Sequence, residues 1–295
     1  MKEKKIFALG FFDGVHLGHQ ALLTACRALA IEYGCKAGAV TFSQHPDALV
    51  LGSTPKLINT INDRKQLLSD MGAETIITLP FDKALMVMPW QRFISLLRNE
   101  YGAVGFVCGA DFRFGHKGSG DAEKLAAFCR EKSLTCAVVA DQTVDGVRVS
   151  STHIRSLLEQ GDMEAADRFL GHAHVLSGEV VSGRRLGRTI GVPTANIRIP
   201  EEVVVPKLGV YACIAEVGGE SYVAVTNVGS RPTVEGHEVR AESWLLSFDG
   251  DLYGETIKLH FYKYLRPEEK FASLEELRQQ IQKDAGQAYK IFEKV

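Results

Sequence analysis

The sequence predicts two domains of different class. The first is an α/β domain built on a parallel sheet; the second is β-rich and antiparallel, with a C-terminal helix. Three observations predict this. Short unbroken apolar runs alternate with helical stretches up to about residue 140. Past Gly171 the segments become β-rich and partly alternating, with Gly-, Pro- and Asn-rich joints. A length of 295 residues is too long for one typical small core and suits two. Apolar residues make up 45% and charged residues 24%, which excludes disordered, collagen-like and coiled-coil chains. With 34 basic against 36 acidic side chains the net charge is −2, so the cationic excess of a nucleic-acid binder is missing. No apolar stretch approaches the roughly 18 residues of a membrane span.

The elements follow in order. Lysines ahead of Ile6 to Phe12 mimic a secretory leader, but Asp13 stops the apolar run and no small-residue cleavage site follows. The run therefore reads as a buried first strand. IFALGFF (6–12), AGAVTF (37–42), TIITLP (75–80), AVGFVCG (103–109) and TCAVVA (135–140) are the expected strands, with helices between them. Strands apolar throughout belong to a parallel sheet covered on both faces. Such sheets take ligands beyond the strands' carboxyl ends, where the order reverses. Helices at 152–160 and 163–170 are separated by Gly161-Asp162. VLSGEVVSG, GVYACIAEV, SYVAVTNVG, EVRAESWLLSF and TIKLHFYKYL then predict an antiparallel barrel or sandwich. Ser273 and Glu276, at capping-box spacing, open a last helix over 273–292. The boundary is expected near residue 172, giving domains 1–172 and 173–295. Cysteines 26, 35, 108, 129, 136 and 213 form no CxxC pair or zinc spacing, which points to a reducing, cytoplasmic compartment.

Where the first strand hands over to the first helix stands Gly10-Phe11-Phe12-Asp13-Gly14-Val15-His16-Leu17-Gly18-His19. Glycines let backbone approach a ligand, and a helix amino terminus offers free N–H groups and a positive dipole end to an anion. His16 and His19, three apart, share a helix face and can stabilise charge that grows on a phosphate. Ser151 and Thr152, in Val149-Ser150-Ser151-Thr152-His153-Ile154-Arg155, suit either a helix cap or a hydroxyl pair facing phosphates. Thr41-Phe42-Ser43-Gln44-His45-Pro46 and Gly109-Ala110-Asp111-Phe112-Arg113-Phe114-Gly115 end strands, where a ligand site belongs; their aromatics serve either as packing or as walls for a flat ring system. GSG at 118–120 is not a dinucleotide fingerprint, and GxxxxGK[ST] is absent.

In the second domain, the stretch from Gly183 through Arg184, Arg185, Gly187, Arg188 and Gly191 to Asn196 reads as a cationic loop able to wrap nucleotide phosphates. Thr194 and Asn196, two apart on extended chain, present neutral oxygens of the kind Mg²⁺ accepts beside phosphates. Asn227 opens the turn Asn227-Val228-Gly229-Ser230-Arg231-Pro232-Thr233. Glu242, in a β-run, is either a solvated strand acid or a base for a substrate hydroxyl.

Taken together these strings resemble the bacterial bifunctional riboflavin kinase/FAD synthetase family from end to end. The first string resembles that family's GxFDGxHxGH, followed by its TFxxHP, G-x-D/N-F-x-F-G and ISSTxIR elements. Residues 185–196, Pro206 to Ala212, 227–233, Glu242 and Asp251 to Gly254 resemble the kinase half, and Leu265-Arg266 with Glu269-Lys270-Phe271 continue the match. The resemblance implies a Rossmann-like nucleotidyltransferase domain followed by an antiparallel β-barrel riboflavin kinase domain with a C-terminal helix. It implies phosphorylation of riboflavin by ATP to FMN, then adenylylation of FMN to FAD with release of pyrophosphate. Mg²⁺ is the implied cofactor, ATP the co-substrate, and flavins the substrates and products. The expected partners are these small molecules, with no nucleic acid, membrane or obligate protein partner.

By the same resemblance His16, His19, Asp111, Ser151, Thr152, Arg155 and Glu242 carry the chemistry. Gly10, Phe12, Asp13, Gly14, Gly18, Arg185, Gly187 and Arg188 bind ATP. Phe42, His45, Pro46, Phe112, Phe114, Asn227 and Trp244 bind flavin, and Thr194 and Asn196 hold the metal. One departure stands out: Glu242-Ser243-Trp244 replaces the family's usual Glu-x-His. The alternative it raises is an FMN adenylyltransferase with a flavin-binding but weakly active barrel.

Overall fold

The computed structural model describes residues 2–182, 191–233 and 236–293, the side chains of 231–237 excepted. The chain divides into two compact units. One is Met1–Pro55 with Arg64–Ser151; the other is Lys56–Asp63 with Thr152–Val295.

The first unit carries strands β1 (Lys5–Leu9), β2 (Lys36–Phe42), β3 (Thr75–Leu79) and β4 (Ala103–Gly109). Short hairpin strands β5 (Arg113–Phe114) and β6 (Gly120–Asp121) precede β7 (Thr135–Val139), and β8 (Thr143–Val144) with β9 (Val147–Arg148) follows. β3-β2-β1-β4-β7 form one sheet in that order, every pair parallel. Each residue of β1 past Lys5 is buried. Ile6 and Ala8 face one core with Leu23 and Cys26 of helix α1 (Leu17–Glu32). Phe7 and Leu9 face the other, with Phe93 and Leu125 from the helices Trp90–Tyr101 and Ala122–Glu131. Burial on both faces is why the run has no polar alternation.

The apolar run outlasts the strand. β1 stops at Leu9, three residues before the expected end, because the chain turns: Phe12 has φ 62°, Gly14 79° and Val15 39°. Left-handed backbone at Phe12 and Val15 is costly for residues with a Cβ, and surrounding contacts must hold it. The Phe12 side chain is fully buried in the core beside α1.

The second unit orders strands β10 (His174–Glu179), β11 (Ala195–Arg198), β12 (Gly209–Val217), β13 (Glu220–Thr233), β14 (Gly236–Leu245) and β15 (Thr256–Arg266) as β10-β15-β12-β13-β14-β11. All pairs are antiparallel. Val181 N–H donates to the Asn196 carbonyl at 2.9 Å, bridging the ends of the series into a near-closed barrel. Residues 56–63 pack here, with Asn59 Nδ2 donating to the Val175 carbonyl at 3.0 Å. The last helix, Leu274–Phe292, opens as its sequence requires: Ser273 Oγ accepts from Glu276 N–H at 3.2 Å, and Glu276 accepts from Ala272 N–H at 3.0 Å. Arg266 holds that helix to the barrel through Asp284, its Nη2 2.8 Å from Oδ2, and Asp284 is buried.

Candidate active sites

The parallel sheet reverses its order between β1 and β4, and a cavity of about 280 Å³ opens there. Gly10, Phe11, His16, Gly18 and His19 line it from the β1 side; Gly109, Asp111 and Phe112 line it from β4. Val139 to Gln142, then Arg148 to Ser151, complete the wall.

His16 caps α1: its Nδ1 accepts from His19 N–H at 3.4 Å. The two imidazoles stack, with centroids 3.7 Å apart and planes 13° from parallel. Gly18 leaves room for this, since a Cβ there would stand 3.1 Å from His16 Cε1. Burial, then repulsion by His16 and by Arg64, hold the His19 pKa well below its usual value. Among the described residues its buried Nδ1 has no hydrogen-bond partner. A neutral imidazole with an unspent ring nitrogen at a helix amino terminus can meet a phosphate oxygen.

Ser151 Oγ donates to the Asp13 carbonyl at 2.9 Å, so this hydroxyl ties the turn to the far wall. Gly10 and Gly18 reach the cavity; Asp13 and Gly14 lie within the buried turn. Thr152 and Arg155 do not line it and pair with each other, Arg155 Nη2 donating to Thr152 Oγ1 at 3.1 Å. Asp111 is ion-paired with Arg148, whose Nε also lies 2.9 Å from Asp141. Of the expected aromatics, Phe112 lines the cavity and stacks on Phe114, centroids 5.3 Å apart. Phe114 is buried and packs in the core with Trp90 and Phe93. Phe42 meets Phe81 edge-on at 5.5 Å, and His45 meets Phe11 at 4.6 Å, with Pro46 following at the start of a single helical turn.

In the barrel, Glu242 on β14 stands in register with Asn196 on β11 and Asn227 on β13. Directly opposed residues share a sheet face. Glu242, Asn227 and Trp244 line a largely apolar cavity of about 330 Å³ with Val225, Phe271 and Ile281. A second, smaller cavity of about 90 Å³ lies against Phe248 to Tyr253. Thr194 lines both. Asn227 Nδ2 donates to Glu268 Oε1 at 3.0 Å, and Asn196 Nδ2 to the Thr194 carbonyl at 3.3 Å. Asn196 is buried, and its Oδ1 has no hydrogen-bond partner among the described residues. A neutral oxygen left over in this way fits a hard cation. Among the described residues no group of three or more His, Cys, Asp or Glu is placed to hold a metal. Arg185, Gly187 and Arg188 lie outside the described residues.

Two family models divide the chain: FAD synthetase over residues 1–153 and riboflavin kinase over residues 170–292. A bifunctional riboflavin kinase/FMN adenylyltransferase of Bacillus subtilis is 36% identical, covering 98% of this chain and 93% of its own. One of Listeria monocytogenes is 32% identical over 99% and 93%. The chain belongs to the bifunctional riboflavin kinase/FMN adenylyltransferase family. A crystal structure from Streptococcus pneumoniae that carries the name macrolide-efflux protein superposes with a TM-score of 0.85 at 29% identity, covering 97% of this chain and 94% of that one. The efflux name stays with that protein; no described helix of this chain is long and apolar enough to cross a membrane.

Four features of this chain are not read from its sequence. Arg148 and Asp141 line the first cavity, the Phe248–Tyr253 loop lines the smaller barrel cavity, and β11 is a strand. The fourth is Arg64, buried under the first turn. Its signal was present: Ile61, Arg64 and Leu68 follow a helical stripe, and an arginine on such a stripe must find partners.

Proposed function

We propose that this chain makes FMN from riboflavin and ATP in the barrel, and FAD from FMN and a second ATP in the α/β unit, the two activities dividing along the sequence at the boundary expected near residue 172. The observation that carries the reading is the pair of barrel cavities meeting at Thr194. One is apolar and reaches Glu242; the other is small and loop-bound. An apolar slot walled by Trp244 and Phe271 suits a flavin ring, and the neighbouring cavity, too small for a whole nucleotide, suits one end of it.

In the kinase step Glu242 accepts the proton of the riboflavin 5′-hydroxyl as its oxygen attacks the γ-phosphate of ATP, releasing ADP. Thr194 and Asn196 are the residues that would hold Mg²⁺, which when bound offsets phosphate charge. In the adenylyl step an FMN phosphate oxygen attacks the α-phosphate of ATP and pyrophosphate leaves. His16 and His19 bind the charge that grows on the α-phosphate, and Ser151 keeps the turn beneath them in place. Phe112 is the aromatic that forms the flavin side of this cavity, and Phe114, stacked behind it, backs it from the core. Asp111, on the cavity wall, helps place substrate or metal there, and Arg185, Gly187 and Arg188 are the residues proposed to contact the ATP phosphates of the kinase half. Six free cysteines accord with a cytoplasmic setting.

Trp244 favours one second reading: a bulky indole beside Glu242 makes a flavin-binding barrel with weak turnover. A chromatographic time course with riboflavin, ATP and Mg²⁺ separates the two. FMN followed by FAD supports both activities. FAD formed only when FMN is supplied supports the silent barrel.

A further inference from the structure

Arg64 is 1% exposed, on the third helix of the chain (Ile61–Asp70). Its Nη1 donates to the Phe11 carbonyl at 2.9 Å and its Nη2 to the Phe42 carbonyl at 3.0 Å. These two oxygens belong to different segments, one in the turn after β1 and one on the last residue of β2. The guanidinium also lies 4.2 Å from the Phe11 ring centroid, and Thr41 Oγ1 donates to the same Phe11 carbonyl at 2.8 Å. Its Nε finds no partner among the described residues. Burial of an arginine is expensive, and it lowers this one's pKa to about 10 despite the pull of Asp13.

A planar fork is the one side chain that holds two separate carbonyls at once in fixed geometry. The turn it holds is the one with left-handed Phe12 and Val15, which delivers His16 and His19 to the cavity. We infer that Arg64 is a positioning residue for adenylyl transfer: by clamping the Phe11 and Phe42 carbonyls it sets the strained turn, and so the paired histidines, against the reacting phosphate. Its positive charge beneath the turn also helps keep His19 neutral. The groups that bear on His19 are His16 on the same helix start and Arg64 from the helix packed below.

This inference rests on the α/β unit being the adenylylation site, and the test separates the two. Arg64→Lys and Arg64→Met are assayed in the full chain for FMN to FAD and for riboflavin to FMN, with deuterium uptake followed over residues 10–19. The expected result is a fall in adenylylation kcat of roughly 30-fold or more for Arg64→Met, with KM for ATP changed less than about 3-fold. The kinase rate stays unchanged, and uptake quickens in residues 10–19. Arg64→Lys keeps charge but not the fork, so it recovers only part of kcat. Quickened uptake with unchanged kcat overturns the inference and leaves Arg64 a purely structural residue. Equal losses in both activities also overturn it, since they mark general unfolding. A wild-type chain that makes no FAD from FMN overturns the reading of the site, and the inference with it.

Discussion

His19 lies face to face with His16, 3.7 Å between ring centroids, in a place where two positive charges cannot coexist. Burial is the larger cause of the low His19 pKa and His16 the next. His16→Asn therefore raises the His19 pKa without restoring its usual value, since the burial remains; side-chain NMR titration of the labelled histidines measures this. His19→Ala lowers FMN adenylylation by about 10²–10³-fold, the loss usual for one preorganised donor, and leaves riboflavin phosphorylation intact.

Asn196 carries an unspent buried oxygen in register with Glu242. Asn196→Ala removes that oxygen from the barrel. The expected outcome is a kinase rate lower by at least about tenfold, the effect of some 1.4 kcal/mol, and a weaker response of that rate to Mg²⁺ titration. FMN to FAD proceeds at the wild-type rate, because His16, His19 and Ser151 belong to the other unit. Loss of both activities would refute the assignment of separate sites.

Trp244 is one of two tryptophans. Riboflavin stacked on it quenches its fluorescence, and Trp244→Phe, with Trp90 alone remaining, loses most of that quench. Trp244→His leaves adenylylation untouched and changes only the kinase KM or kcat for riboflavin. Quench unaltered in Trp244→Phe would place the flavin elsewhere.

Opposed titrations meet where the second unit begins its barrel. His174 is fully buried with neither ring nitrogen partnered among the described residues, and burial lowers its pKa to about 3. Asp167, which accepts from His174 N–H, is pushed by burial up to about 8. The histidine binds its proton more readily when unfolded, so its contribution to stability is present above about pH 6.5 and is lost as pH falls toward 3. The aspartic acid behaves oppositely: its contribution is full below about 3.9 and is lost as pH rises through 8. Between pH 4 and 6.5 the two offset each other. His174→Phe should leave stability falling with rising pH in that window, and Asp167→Asn should leave it rising. Urea unfolding at a series of pH values reads both slopes, and parallel slopes would refute the pairing.

Much of this was legible because the signals are local. Both faces of β1 are buried, so its residues had to be apolar throughout; Ser273 and Glu276 had to be three apart to cap a helix. The histidine pair was legible from spacing alone. What escaped depends on distant partners. Nothing within IFALGFF marks Leu9 as its last strand residue, since the turn at Phe12 is held by Arg64, Thr41 and Ser151 through the Phe11 and Asp13 carbonyls. Phe112 and Phe114 look equivalent in sequence, yet one lines a cavity and the other fills a core, a difference set by Trp90 and Phe93. β11 is four residues long and exists through its pairing with β14.

The barrel's first strand pairs with its last: His174 stands opposite Phe261, and Glu179 opposite Thr256. During synthesis, then, β10 waits for some eighty residues to be translated before its neighbour exists, about four to sixteen seconds at ordinary ribosomal speed. The parallel sheet has all its strands by residue 139. A nascent chain can thus hold a finished sheet while the kinase half still exposes an unpaired β edge, the form most open to chaperones and to aggregation.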